Sequence, residues 1–130
     1  MNLKQSRLVT EDVQKLTRFY EAITGAKAEV VSSGYVEFQR SPCAGLAITA
    51  NSTTTGAYGD GVVAASANHS LVLDFEVEDV DAHYAWLKEN VADWVLRPTT
   101  MPWGNRAMLF RDPDGNLINF FSEPNRGRRV

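Results

Sequence analysis

The sequence repeats itself. At a spacing of 67 residues, Glu11-Asp12-Val13 returns as Glu78-Asp79-Val80, Phe19 returns as Trp86 and Tyr20 as Leu87. At a spacing of 71, Arg40, Pro42 and Leu46 return as Arg111, Pro113 and Leu117. Two related spacings, each near half of the 130 residues, indicate an internal duplication. The chain therefore has to satisfy one element order twice.

That order can be read from periodicity. Residues 3–9 read as a strand, and Glu11-Asp12 opens a helix with Thr10 as its expected cap. Val13, Leu16, Tyr20 and Ile23 line one helical face, and Gly25 is the stop. Residues 28–32 and 35–39 are strands around the turn Ser33-Gly34, and 46–50 is a further strand after Pro42. Residues 51–68, rich in Ser, Thr, Gly and Ala, read as a plain connector ahead of a lid. Leu71, Leu73, Phe75 and Val77 then alternate with Val72, Asp74 and Glu76, a strand with one core face and one wet face. Asp79 starts the second helix, with Val80, Tyr84, Leu87 and Val91 on one face. Strands follow at 93–97, 106–111 and 117–122, the last two joined by the turn Asp112-Pro113-Asp114-Gly115-Asn116. Each half reads strand, helix, three strands: module one at about 1–50, module two at 69–124 and a basic tail at 125–130.

Composition bounds the function. A net charge of −3 argues against nucleic-acid binding, and the tail Asn125-Arg126-Gly127-Arg128-Arg129 reads as a solvated end. No apolar run reaches a membrane span, no leader-like segment opens the chain and Cys43 is the single cysteine. A cytoplasmic protein is the expectation, with Cys43 a small buried hydrophobe. Two histidines, His69 and His83, exclude a three-imidazole site in one chain. No nucleophile elbow, P-loop or dinucleotide fingerprint is present, and Gly56, Gly59 and Gly61 lack the strand and helix such a loop needs.

The chain resembles the vicinal oxygen chelate superfamily, the glyoxalase, bleomycin-resistance and dioxygenase group. The matching residues are 8–13, Phe19-Tyr20 and Gly25 in the first half, then 75–80, Pro102-Trp103-Gly104 and 110–118 in the second. The resemblance implies an α+β fold of two βαβββ modules, with curled mixed sheets around a shared cleft, in a homodimer. It also implies where a divalent metal would be held. The first ligand position is Gln5, seven residues before Asp12, and its repeat at 67 is Val72. The last is Asn119, two residues after Leu117, and the spacing of 71 sends it back to Ile48. Two amides and two hydrocarbons do not replace a cation's water shell. The resemblance therefore carries over with no metal and no cofactor. His69 lies three residues from Val72, on the opposite face of a regular strand, and His83 is on the second helix.

Alternation along the strands adds the residues that share a face with those positions: Arg7 and Val9, Asp74 and Glu76, Leu117 and Phe121. Tyr35 and Arg106 start their strands, and Trp103 precedes the seventh. Together with Gln5, Ile48, Val72 and Asn119 they form the candidate ligand-binding set, suited to a small organic molecule with a flat or apolar body and a polar end. Structural roles compete for several of them. Trp86 is expected in the core, and Trp103 as either a cavity wall or a cover. Arg7 is expected to pair with Asp74 or Glu76. Gln5 and Asn119 are expected to bond to each other as readily as to a ligand. The leading expectation is a metal-free small-molecule-binding protein of the bleomycin-resistance type. The alternative is a glyoxalase-like lyase or isomerase using an atypical metal site or a cleft carboxylate. A third reading is a structural dimer whose cleft is filled by its own side chains, Phe121 and Trp103 touching.

Overall fold

A computed structural model describes residues 1–124; the basic tail at 125–130 lies outside the described residues. The chain divides into two compact units, Met1–Asn68 and a second that begins at His69. Unit one contains β1 (Ser6–Thr10), α1 (Val13–Thr24), β2 (Glu29–Ser32), β3 (Tyr35–Phe38), β4 (Leu46–Ala50) and α2 (Asn51–Tyr58). Unit two contains β5 (Val72–Glu76), α3 (Val80–Leu87), β6 (Asp93–Thr100), β7 (Arg106–Arg111) and β8 (Leu117–Ser122). Each unit forms an open four-stranded mixed sheet, in the order β1-β4-β3-β2 and β5-β8-β7-β6. The first strand pairs in parallel with the last, and the other pairs are antiparallel. The βαβββ order expected for each half is the one observed.

The repeated Glu-Asp-Val has a physical meaning. Asp12 and Asp79, both extended, cap α1 and α3 by accepting from the Lys15 and Ala82 backbone N–H at 3.0 and 3.1 Å. Thr10 is therefore not the cap; its hydroxyl accepts from the Asp12 N–H at 3.2 Å. Gly25 ends α1 with a φ of 75°, and its N–H reaches the Glu21 carbonyl. Leu16, Tyr20 and Ile23 are buried from α1, and Val80 and Leu87 from α3. Trp86, expected in the core, is 56% exposed, because α3 turns Leu87 rather than Trp86 toward its sheet. Phe19 is half-buried against Tyr20 and its repeat Trp86 is exposed, while the neighbours, Tyr20 and Leu87, are core.

β1 begins at Ser6 rather than at residue 3, and α3 ends at Leu87, so that Val91 is buried but lies beyond the helix; two further spans differ more. Residues 51–58 are helical, although Ser, Thr, Gly and Asn are poor helix formers. Tertiary anchoring holds α2: Thr54 is buried, its hydroxyl donates to the Asn51 carbonyl at 3.0 Å, and Asn51 Nδ2 donates to Glu11 Oε1 at 2.8 Å. Residues 59–71 run as turns and bends to β5. β6 extends past Arg97 to Thr100, carrying Pro98 where its register with β7 shifts. An edge strand with bulges tolerates a residue that cannot donate.

The sheet register corrects the second spacing of the repeat. Ala47 on β4 is flanked by Arg7 and Glu37, whereas Asn119 on β8 is flanked by Asp74 and Leu109. Arg7 and Asp74 are 67 apart, so Ala47, 72 residues before Asn119, is its counterpart. Phe38 and Phe110, also 72 apart, agree, since their partners are Leu46 and Ile118. The spacing of 71 is thus one residue short. A slip of one along a strand exchanges the two faces of the sheet.

Candidate functional site

Each sheet has a face under its helix and a face away from it. In unit two the sides are marked by contacts. His83 of α3 meets the Phe120 ring edge-on at 5.5 Å, Tyr84 meets Trp94 at 5.1 Å, and Asp81 is bridged to Arg106 at 2.8 Å. Phe75, Phe110 and Phe120 share that side and pack together at 5.4 Å between centroids. The face away from α3 carries Val72, Asp74 and Glu76 on β5, and Leu117, Asn119 and Phe121 on β8. By register it also carries Ala107 and Leu109 on β7. Leu96 joins them opposite Leu109. At its centre Asn119 Nδ2 donates to Asp74 Oδ1 at 3.0 Å, and the Asn119 Oδ1 is buried without a partner in the described chain. Aliphatic and aromatic carbon surrounds this amide–carboxylate pair.

The corresponding face of unit one carries Arg7 and Val9 on β1, Ala47 and Thr49 on β4, and Tyr35 and Glu37 on β3. Ala47 and Thr49 are fully buried. Gln5 Nε2 donates to the Tyr35 hydroxyl at 2.8 Å. That hydroxyl donates to Glu37 Oε2, and Gln39 Nε2 donates to Oε1 of the same carboxylate at 3.0 Å. Two donors and nearby Lys4 hold the Glu37 carboxyl below the usual carboxylate range. Desolvation and the Glu37 carboxylate push the Tyr35 phenol up. An open pocket of about 310 Å³ at this end of the sheet is lined by Lys4, Gln5, Glu37, Phe38, Gln39 and Gly45. Arg7 donates to the Tyr58 hydroxyl, and its guanidinium lies 5.5 Å from the centre of the Tyr58 ring.

Most of the sequence-based set lies on these two faces: Gln5, Arg7 and Tyr35 in unit one, and Val72, Asp74, Glu76, Asn119 and Phe121 in unit two. Ile48 does not. It is 0% exposed, and it corresponds to Phe120, the ring met by the helix. The residue at its intended place is Ala47. Arg106 does not either: its Nε and Nη2 clamp Asp81 of α3 at 3.0 and 2.8 Å. Trp103 is in the loop before β7 and is 70% exposed, so it is neither a wall nor a cover of its own sheet. The expected pairing of Gln5 with Asn119 gives way to Gln5–Tyr35 and Asn119–Asp74, and Arg7 bonds to Tyr58 rather than to a carboxylate. Sequence reading missed Ala47, Leu96, Leu109, Glu37 and Tyr58. Leu109 could have been found by alternation along residues 106–111; Tyr58 sat in a stretch with no periodic signal.

The family positions can be tested against metal chemistry with the corrected register. They are Gln5 and Ala47 in unit one, and Val72 and Asn119 in unit two. None is an acid, an imidazole or a thiol, and the neutral amide oxygens of Gln5 and Asn119 are the two side-chain donors among the four. Such a donor set does not fit a divalent cation. Among the described residues no group of three or more His, Cys, Asp and Glu could hold one. His69 is exposed ahead of β5, and His83 is packed against Phe120.

Cys43 is buried, and desolvation pushes its thiol up to about 11. It is expected to react with a thiol reagent at pH 8 only after denaturation; stoichiometric labelling of the native protein would contradict its burial. The unfolded thiol ionises near its ordinary value of 9.0 and the folded one at about 11. The unfolded state therefore binds fewer protons between them, and the stability linked to this thiol, present below pH 9, falls as pH rises toward 11.

A model of the Glyoxalase/Bleomycin resistance protein/Dioxygenase superfamily matches residues 2–120. The chain belongs to that superfamily, whose α+β fold the two modules reproduce. Over 126 residues it is 29% identical to an uncharacterized protein of Bacillus subtilis (strain 168), YraH; this covers 93% of the chain and 98% of the relative. A glyoxalase/bleomycin resistance protein/dioxygenase from Nocardioides superposes with a TM-score of 0.80 at 21% identity, over 98% of this chain and 86% of that one. A family enzyme from Burkholderia phytofirmans PsJN superposes with a TM-score of 0.83 at 14% identity, over 95% of this chain and all of that one. At these identities the two structures establish the fold and not the activity. Among the described residues, no helix is long and apolar enough to cross a membrane.

Proposed function

We propose that this protein is a metal-free small-molecule-binding protein that holds an organic ligand by non-covalent contacts and breaks no bond in it. The observation that carries the reading is the family's ligand positions occupied by Gln5, Ala47, Val72 and Asn119 on an otherwise intact scaffold. Evolution of the scaffold toward binding alone would leave this pattern: strands, caps and turn kept, cation donors gone. The open face of unit two fits a ligand with an apolar body. Leu96, Leu109, Leu117 and Phe121 offer carbon, and Asp74 with Asn119 offers a polar centre that fixes orientation. The proposal includes a homodimer in the cytoplasm, and a single buried thiol fits that reducing compartment.

Metal analysis of protein purified without chelator, followed by equilibrium dialysis against Zn, Ni, Mn and Fe(II), tests the reading. No stoichiometric ion is expected, and the thermal midpoint is expected to be unchanged by any of the four. One tightly held ion per chain would overturn it and bring forward a glyoxalase-like lyase or isomerase. Native mass spectrometry on freshly purified protein supplies the positive arm, a retained organic mass released on unfolding.

A further inference from the structure

We propose that Arg7 is the anchor for the carboxylate of a flat organic acid, and that Tyr58 occupies its guanidinium until such a ligand arrives. This rests on the small-molecule reading above, names the class of ligand, and puts its acidic end on the face of unit one rather than at the Asp74–Asn119 pair of unit two. Arg7 projects from β1 onto the open face of unit one, beside the small Ala47. Its partner is a phenol, not an acid: among the described residues the ion pair is Arg106 with Asp81, and Arg7 has none. A guanidinium presents five donors in a rigid plane that matches a carboxylate through two parallel bonds. The Tyr58 hydroxyl and ring take up only part of that capacity.

The surroundings suit a ring attached to the acid. The Tyr58 ring lies 5.5 Å from the guanidinium, and Tyr35 stands on the same face of the sheet, two strands away. The acid on this face, Glu37, is across Ala47 from Arg7, and its two oxygens already accept from Tyr35 and Gln39. Tyr58 itself is placed to move. It is the last residue of α2 and half-exposed, while the other end of that helix is tied by Asn51 to Glu11. Releasing Tyr58 costs one hydrogen bond and one cation–π contact, and a carboxylate replaces both with charge-assisted bonds.

Calorimetric titration of the full chain with 2-naphthoate and with the uncharged 2-naphthamide tests the proposal. The acid is expected to bind at least about tenfold more tightly than the amide. Arg7→Gln is expected to abolish that preference by bringing the acid down to the affinity of the amide, and Arg7→Lys, which keeps the charge without the planar fork, to retain part of it. Tyr58→Phe is expected to tighten the acid about fivefold, by removing the competing hydroxyl. Equal affinities for acid and amide, or a preference that survives Arg7→Gln, would overturn the anchor while leaving the small-molecule reading in place. A preference for 2-naphthylmethylammonium would assign the ligand to the acidic face of unit two instead. Binding of none of the three would overturn the anchor. Thermal midpoints of the variants close to that of the parent exclude misfolding as the cause.

Discussion

Phe110→Ala is expected to destabilise the protein by about 3–5 kcal/mol and to lower its thermal midpoint by roughly 10–20 °C. Phe110 is fully buried on the helix side of the unit-two sheet, between Trp94 at 5.2 Å and Phe120 at 5.4 Å. Phe120 in turn touches Phe75 and His83, and Trp94 touches Tyr84. Truncation removes the central ring of that chain and leaves a hole that rigid neighbours on three elements cannot close. Phe110→Leu, which keeps most of the volume, is expected to lose much less. Urea denaturation followed by far-UV circular dichroism measures both. A loss below about 1 kcal/mol for the alanine variant would show that this cluster is not the core of the unit.

Asp112→Ala is expected to cost about 3 kcal/mol, through unpaired donors rather than lost volume. The carboxylate is buried at the mouth of the β7–β8 turn. Its Oδ1 accepts from the Asp114 and Asn116 backbone N–H at 2.9 and 3.0 Å, and its Oδ2 accepts from Asn116 Nδ2 at 2.8 Å. Alanine would leave three donors facing carbon. Asp112→Asn keeps the Oδ1 acceptor but places an amide N–H₂ against Asn116 Nδ2, so its loss should be intermediate. The turn holds β8 in register, and β8 carries Asn119. Scanning calorimetry of the two variants should therefore rank them alanine, asparagine, parent; an alanine variant as stable as the parent would refute the role.

These two sites show why so much of the fold was legible in the chain. Asp12 and Asp79 recur because each caps a helix, and Asp112 stands in the turn because its carboxylate accepts from two backbone N–H groups there, with the Asn116 amide donating to its other oxygen. Local hydrogen bonds leave local spacing, and spacing can be read. Core positions such as Leu16, Tyr20, Ile23, Val80 and Leu87 follow from helical period for the same reason. Trp86 was misplaced because residue type was transferred across the repeat where the packing direction had to decide. The helix at 51–58 was not legible because nothing local favours it; Glu11 and Arg7 hold its two ends from 40 and 51 residues away.

The site depends on longer reach still. The chain alone determined that two similar modules exist, that each has a helix-covered face and an open one, and that the first and last family positions, Gln5 and Asn119, carry amides. It could not determine which β4 residue stands opposite Asn119 in the repeat. Motif matching put Ile48 there, and only the pairing of Ala47 with Arg7 and Glu37 put it right. Likewise only tertiary contacts sent Arg106 to Asp81 and Arg7 to Tyr58. The physical reason is the two-residue period of a strand. An error of one residue is invisible in a sequence comparison, yet it moves a side chain from solvent to core, and the partner of a long charged side chain is chosen by whatever the fold brings within its reach.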